Sequence, residues 1–272
     1  MHIAICLYGQ ARNYKFGYEC IKELMVTNKY HTFDVYFHCW IDDDFKYEIS
    51  PWRSIADNTI CIPDEDKVKK ELLDLYKPVA HLYEKPLTKN SNTVLTDLEH
   101  IRKSVMYTNS DEVMRSNIYN TYSQICSRTR VRDIFEKYIS DHGVSYDTVL
   151  STRFDGLDFT DKLDFEGIDK DRIYTCSMRV PELIIPDNFL IIPPQIYVRW
   201  FNMYPNLHTI MNDKTLEMSM ENIKEPFIFG MEEVLLCNFF LCGYQINMVN
   251  YVIERRYTGG ELYALDIQRG QC

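Results

Sequence analysis

Arg153 and Asp155 stand two residues apart at the end of an apolar and β-branched run, TVLST, and Gly156 follows them. Glycine permits a sharp turn there. A carboxylate at such a strand end can hold a divalent metal and, through it, a diphosphate, and a neighbouring guanidinium meets phosphate oxygens directly. The plainer reading is a surface Arg–Asp pair at a turn. A second group, Gly9-Gln10-Ala11-Arg12, follows the apolar run IAICLY. A glycine turn carrying an Arg before a helix is how α/β proteins offer backbone N–H groups and a cation to phosphate. The alternative is an ordinary βα loop. Neither a GxGxxG nor a GxxxxGK[ST] pattern is present, so a dinucleotide fold and a P-loop are both unsupported. Asp42-Asp43-Asp44 spell a D-x-D motif, yet three acids in the polar run DDDFKYE also describe a solvated loop.

These groups need strands and helices to position them. Residues 2–8 and 33–41 read as buried strands, and 148–152 as a third. Along 33–41 the two-residue period puts His38 and Trp40 on one side and Phe37 and Cys39 on the other. Trp40 there is either a stacking platform for a base or sugar, or core. Helices are expected over 17–25, 64–76, 110–142, 195–211 and 230–243, with a short strand at 79–83. In the longest helix Thr121, Ile125, Val131, Phe135 and Tyr138 share a face, and Arg128 falls inside it. A buried Arg must find a partner, either a structural carboxylate or an anion at Asp155. Glu232 and Glu233 open the last helix, where acids suit the helix dipole or overhang a pocket. The apolar stretch 181–194 contains prolines that argue against a central strand; it reads as a covered loop carrying Asp187. Residues 245–254 read as a last strand, followed by a polar tail. The alternation of strands and helices predicts an α/β fold: one central mixed, mainly parallel sheet flanked by helices.

At 272 residues the chain can bury a large core. Its net charge of −10 argues against nucleic-acid and membrane-surface partners. An acidic protein that takes an anionic nucleotide needs local Arg or a metal to overcome its own field. Nine cysteines, an odd number without C-x-x-C pairs, suggest buried thiols in a reducing cytoplasm. The first apolar run lacks a basic leader and is short for a signal peptide. No stretch reaches the roughly 18 apolar residues of a membrane-spanning helix.

Five segments in order, IAICLYGQARNY, FDVYFHCW, YSQICSRTRVRDIFEKY leading into YDTVLSTRFDGLDF, PDNFLIIPP, and EEVLLCNFFLCGY, resemble a family of GT-A-type glycosyltransferases found in capsular or surface-polysaccharide loci and in large DNA viruses. The resemblance spans most of the chain. It implies a single GT-A-like domain over 1–272, with a nucleotide-sugar-binding half at 1–158 and an acceptor-binding half at 159–272. It implies Asp155 as ligand to Mn2+ or Mg2+, with Gly9, Gln10, Arg12, Arg128 and Arg153 around the diphosphate. His38 and Trp40 would lie near the base or ribose. Asp187 and Glu232 would face sugar and acceptor, and Glu232, then Glu233 and Asp187, are the candidates for the base an inverting transferase needs. The chain departs from a strict D-x-D in that the next acid after Asp155 is Asp158. Donor (a UDP- or GDP-sugar), glycan or glycoprotein acceptor and a cytoplasmic location, host cytoplasm if viral, complete the expectation. Two other functions compete: a non-catalytic carbohydrate- or nucleotide-binding module, and a metal-dependent phosphoester hydrolase built on Asp42 and Asp44.

Overall fold

Strand β1 (His2–Gln10) lies near the middle of the sheet because it is apolar on both faces. β2 (Thr32–Trp40) and β6 (Thr148–Arg153) flank it in parallel register. The computed structural model describes residues 1–43, 46–48, 59–61, 64–87, 111–155, 163–175, 189–207, 231–246, 252–257, 260–265 and 267–269, some as backbone alone. Its main sheet has eight strands in the order β10-β11-β7-β8-β6-β1-β2-β5. Here β5 is Ala80–Glu84, β7 Ile173–Thr175, β8 Phe189–Ile192, β10 Val252–Tyr257 and β11 Gly260–Leu265. β5, β2, β1 and β6 run parallel. β8 opposes β6, and each strand beyond it reverses again. Six strands therefore share one direction, and β8 and β11 oppose them. Two ribbons stand apart: β3 (Lys46–Glu48) with β4 (Thr59–Cys61), and β9 (Tyr244–Ile246) with β12 (Ile267–Arg269).

The two-residue period sorts the central strands onto two cores. Ile3, Ile5, Leu7, Phe37 and Cys39 pack on helices α1 (Tyr14–Thr27) and α2 (Glu65–Tyr76). Ala4, Cys6, Tyr8, Tyr36 and Trp40 face the opposite layer. That layer holds α3 (Asp111–His142), α4 (Pro194–Trp200) and α5 (Met231–Leu241). The expected mixed α/β sheet with helical flanks is present. No helix among the described residues is long and apolar enough to cross a membrane.

Three expectations change. The segment 181–194 is not only loop: Phe189–Ile192 is β8, fully buried between β6 and β7. Its prolines bracket those four residues rather than interrupt them, so every ladder N–H survives. The polar tail carries strands: Gly260–Leu265 joins the main sheet and Ile267–Arg269 pairs with β9. The helix expected over 195–211 stops at Trp200, and a 3-10 turn at Tyr204–Asn206 follows, with Pro205 inside it.

Candidate functional site

The strand order reverses direction beside β1. β1, β2 and β5 step one way across the sheet, and β6 returns to the other side of β1. Ligands of open α/β sheets bind in the crevice such a reversal opens, beyond the carboxyl ends of the strands. The register sets Tyr8 beside Arg153, so Phe154-Asp155 leave β6 beside Gly9-Gln10, which still pair with β2.

At the end of β1, Gly9 takes φ +102°, a conformation that favours glycine. The chain then folds tightly: Arg12 N donates to the Gln10 carbonyl at 2.7 Å, and Arg12 Nε donates to Gln10 Oε1 at 2.7 Å. Asn13, left-handed at φ 45°, starts α1 without a side-chain cap and without an acid in the first turn. Helix α2 starts differently. Asp64 accepts from Lys67 N at 2.9 Å, and Glu65 and Asp66 follow. The first turn of α1 thus brings no cap and no acid of its own beside Arg12, and the nearby Glu71 of α2 pairs with Lys15 at 2.8 Å.

At the end of β6, Arg153 Nε donates to Asp155 Oδ1 at 2.9 Å, and the side chains are 37% and 19% exposed. Phe154 between them is fully buried and packs on Phe37 and Tyr76. A Cβ on Gly17 of α1 would stand 2.0 Å from the Phe154 carbonyl oxygen. Only glycine lets α1 lie this close, so Gly17 sets how near α1 comes to the end of β6. A glycine inside a helical pattern signals such an approach; it is the one legible trace of this contact in the sequence.

Beneath the turn lies a polar relay that runs from a buried core to the half-exposed Glu84 and Arg130. Gly9 N donates to Ser127 Oγ at 2.7 Å, and Ser127 Oγ stands 2.7 Å from His38 Nδ1. His38 Nε2 is 2.9 Å from Glu84 Oε2, which also accepts from Arg130 Nε at 3.1 Å. Burial pushes the His38 pKa down. The neutral ring then donates from Nε2 to Glu84 and accepts the Ser127 hydroxyl proton at Nδ1, which is the tautomer the network assigns. The His38 hydrogen bond in turn lowers the Glu84 pKa. Hydroxyl, imidazole, carboxylate is the order of an activated nucleophile. Ser127 is fully buried, however, and its oxygen already accepts the Gly9 amide. The arrangement is a strut.

Five predicted residues therefore come together at adjacent strand ends: Gly9, Gln10, Arg12, Arg153 and Asp155. Three others are corrected. His38 is 0% exposed, Trp40 3% and Arg128 0%. They occupy even positions of β2, or the α3 face opposite them, and both lie inside the interface. Trp40 Nε1 donates to the Ser123 carbonyl at 3.3 Å, so it is core and no platform for a base. The Arg128 guanidinium lies 4.0 Å from the Tyr8 ring centroid and 5.5 Å from that of Phe201, and donates to the Tyr8 hydroxyl. Glu232 and Glu233 begin α5, described as backbone only. Asp187, Asp44 and Asp158 lie outside the described residues. Asp43 accepts from Glu65 N at 3.0 Å, and Asp42 pairs with Lys85 at 3.4 Å, so both serve local structure.

No group of three or more His, Cys, Asp or Glu among the described residues is arranged to hold a metal ion. A single carboxylate such as Asp155 suits a Mg2+-type site completed by water and phosphate oxygens. Arg153 on its Oδ1 adds a second cation beside it. Comparison with known proteins returns no match among family models, curated proteins or solved structures. The reading of the site therefore rests on its geometry.

Proposed function

We propose that the chain is a GT-A-type glycosyltransferase that moves a sugar from a UDP- or GDP-sugar to a glycan or glycoprotein acceptor. The observation that carries the reading is the meeting of the β1 and β6 carboxyl ends at the reversal of strand order, one bearing Gly9 and Arg12, the other Arg153 and Asp155. A nucleoside diphosphate leaves a sugar readily only when its growing negative charge is neutralised. Arg12, the start of α1 and Arg153 supply positive charge there. A Mn2+ or Mg2+ ion held by Asp155 would add Lewis-acid neutralisation of the same oxygens. Arg153, partly exposed beside Asp155, stands where a guanidinium can meet phosphate oxygens. Glu232 remains the first candidate for the base that accepts the acceptor hydroxyl's proton, with Glu233 and Asp187 behind it. The buried free thiols of Cys6, Cys20, Cys39, Cys126 and Cys242 suit a reducing compartment such as the cytoplasm.

The test is thermal unfolding of the protein with UDP, GDP and a panel of nucleotide sugars, with and without Mn2+, alongside assay of donor consumption. Ligand at about 100 times its Kd should stabilise by about 2.7 kcal/mol. Stabilisation by one nucleoside diphosphate, abolished in Arg12→Ala, supports the reading. Indifference to every nucleoside diphosphate sinks it. Binding with no donor consumption under any acceptor mixture favours the non-catalytic module instead.

A further inference from the structure

The relay from Gly9 through Ser127 and His38 to Glu84 is used by nothing in the proposed chemistry. It joins α3, β2 and β5 to one backbone amide of the β1–α1 turn. Gly9 occupies a left-handed conformation with open space around it, as nothing stands within 4 Å of a Cβ built there. The ladder with β2 and the buried Ala11 hold the neighbouring backbone, and the directed hydrogen bond from the Gly9 amide to Ser127 adds a fixed orientation at the strand end. Ser127 is a fit anchor because its hydroxyl is itself fixed. The single proton it carries points at His38 Nδ1, which leaves its lone pairs to the Gly9 amide. His38 is fixed in turn by Glu84, and Glu84 by Arg130 at 3.1 Å.

We propose that Ser127, braced by His38 and Glu84, is a positioning residue that aims the Gly9–Arg12 turn at the diphosphate. The proposal rests on reading that turn as the diphosphate site, and the experiment separates the two. Hydrogen exchange at the Gly9 amide is followed in 15N-labelled protein for wild type, Ser127→Ala, Ser127→Thr and Glu84→Gln. Calorimetric titration with UDP, GDP and inorganic pyrophosphate, each with Mn2+, accompanies it. Loss of one buried hydrogen bond corresponds to about a tenfold change. In Ser127→Ala, Gly9 exchange should rise about tenfold while the β1 interior at Ile5 keeps its rate. Nucleoside diphosphate affinity should fall about tenfold, and Ser127→Thr should restore both. A folded Ser127→Ala protein with unchanged Gly9 exchange, or with full affinity for a nucleoside diphosphate that wild type binds, overturns the proposal. Should Ser127→Ala not fold, Glu84→Gln must shift the Gly9 amide resonance, and an unmoved resonance overturns it equally. If wild type binds none of the three ligands, the diphosphate reading fails, while Gly9 exchange still decides whether Ser127 holds the turn.

Discussion

The two edges of the sheet are built on different rules. At the amino edge, polar groups far apart in sequence close on one another. His2 Nε2 meets Asp34 Oδ2 at 3.0 Å, and the Tyr146 hydroxyl donates to the same oxygen at 2.6 Å. The Tyr36 and Tyr146 hydroxyls lie 2.6 Å apart, and His2 N donates to Asp147 at 2.8 Å. Burial and the neighbouring Asp34 hold the Tyr146 hydroxyl protonated. At the carboxyl edge, the charged groups pair with residues two positions away: Arg12 with Gln10, Arg153 with Asp155. Long-range bonds tie strands together and cannot be given up without loosening the fold. A bond between residues two positions apart closes only a short loop of chain, so it links no distant elements by itself. The candidate chemistry stands at the carboxyl end, where the long-range bond from Gly9 to Ser127 also braces the fold.

The largest expected effect breaks the comparison where stability and chemistry meet. Gly17→Ala puts a methyl 2.0 Å from a backbone oxygen, which cannot swing aside. Overpacking of this kind should cost on the order of 3 kcal/mol, read from urea denaturation, with nucleotide affinity lost as α1 moves off Phe154. A cost below about 1 kcal/mol would show that α1 does not rest there. Next comes the amino edge. Asp34→Ala removes the acceptor that the Tyr146 hydroxyl and His2 Nε2 share, a loss of about 2 kcal/mol, and should leave nucleotide affinity unchanged. A fall in affinity with the fold intact would contradict the division between edges.

How much of this was legible in the sequence follows the same division. Continuous apolar and β-branched runs marked β1, β2 and β6, and glycine and arginine at the ends of β1 and β6 marked the carboxyl edge. β8 was hidden because only four residues, Phe189–Ile192, are extended and prolines surround them. A rule about proline within strands does not apply to proline beside one. His38 and Trp40 were placed on the correct side of β2, but the sequence does not say that α3 covers that side to the very end. Ser127 was invisible. A serine within a helix has no periodic signature, and its role depends on Gly9, 118 residues away. Glu84 and Arg130 were invisible for the same reason, since their partnership exists only once β5 joins β2.

Acid should probe the strut at the carboxyl edge. The His38 pKa lies below its ordinary value near 6.5 because burial disfavours the charged ring. The unfolded chain therefore binds a proton more readily than the folded one, and stability falls as pH drops below about 6.5. The Glu84 pKa is lowered too, through its bond from His38. Its contribution is complete above the ordinary carboxylate range and disappears as pH falls through the lowered value. Both groups destabilise in the same direction, so the urea midpoint should decline from neutral pH downward in wild type. It should decline less steeply near pH 6.5 in His38→Asn, which removes that titration. Identical slopes in the two proteins would show that His38 is not held neutral by the fold.

The smallest effect on stability is expected where the effect on binding is greatest. Asp155→Asn keeps an oxygen for Arg153 Nε and removes one charge from a partly exposed pair. Pairs of that kind contribute about 0–1 kcal/mol, and the amide preserves part of it, so the urea midpoint should move by no more than about 0.5 kcal/mol. The affinity for UDP or GDP in the presence of Mn2+ should nonetheless fall about tenfold or more, because an amide oxygen is a far weaker metal ligand than a carboxylate. Repeating the titration without metal sharpens the point. If Arg12 and Arg153 alone carry the diphosphate, wild type and Asp155→Asn should bind equally in the absence of Mn2+, or the variant slightly better, since Arg153 is then released from its carboxylate. A variant that is strongly destabilised would place Asp155 with Asp34, among the groups that hold the chain together. Full affinity with Mn2+ in a stable variant would instead remove the metal from the site and leave the two arginines as its chemistry.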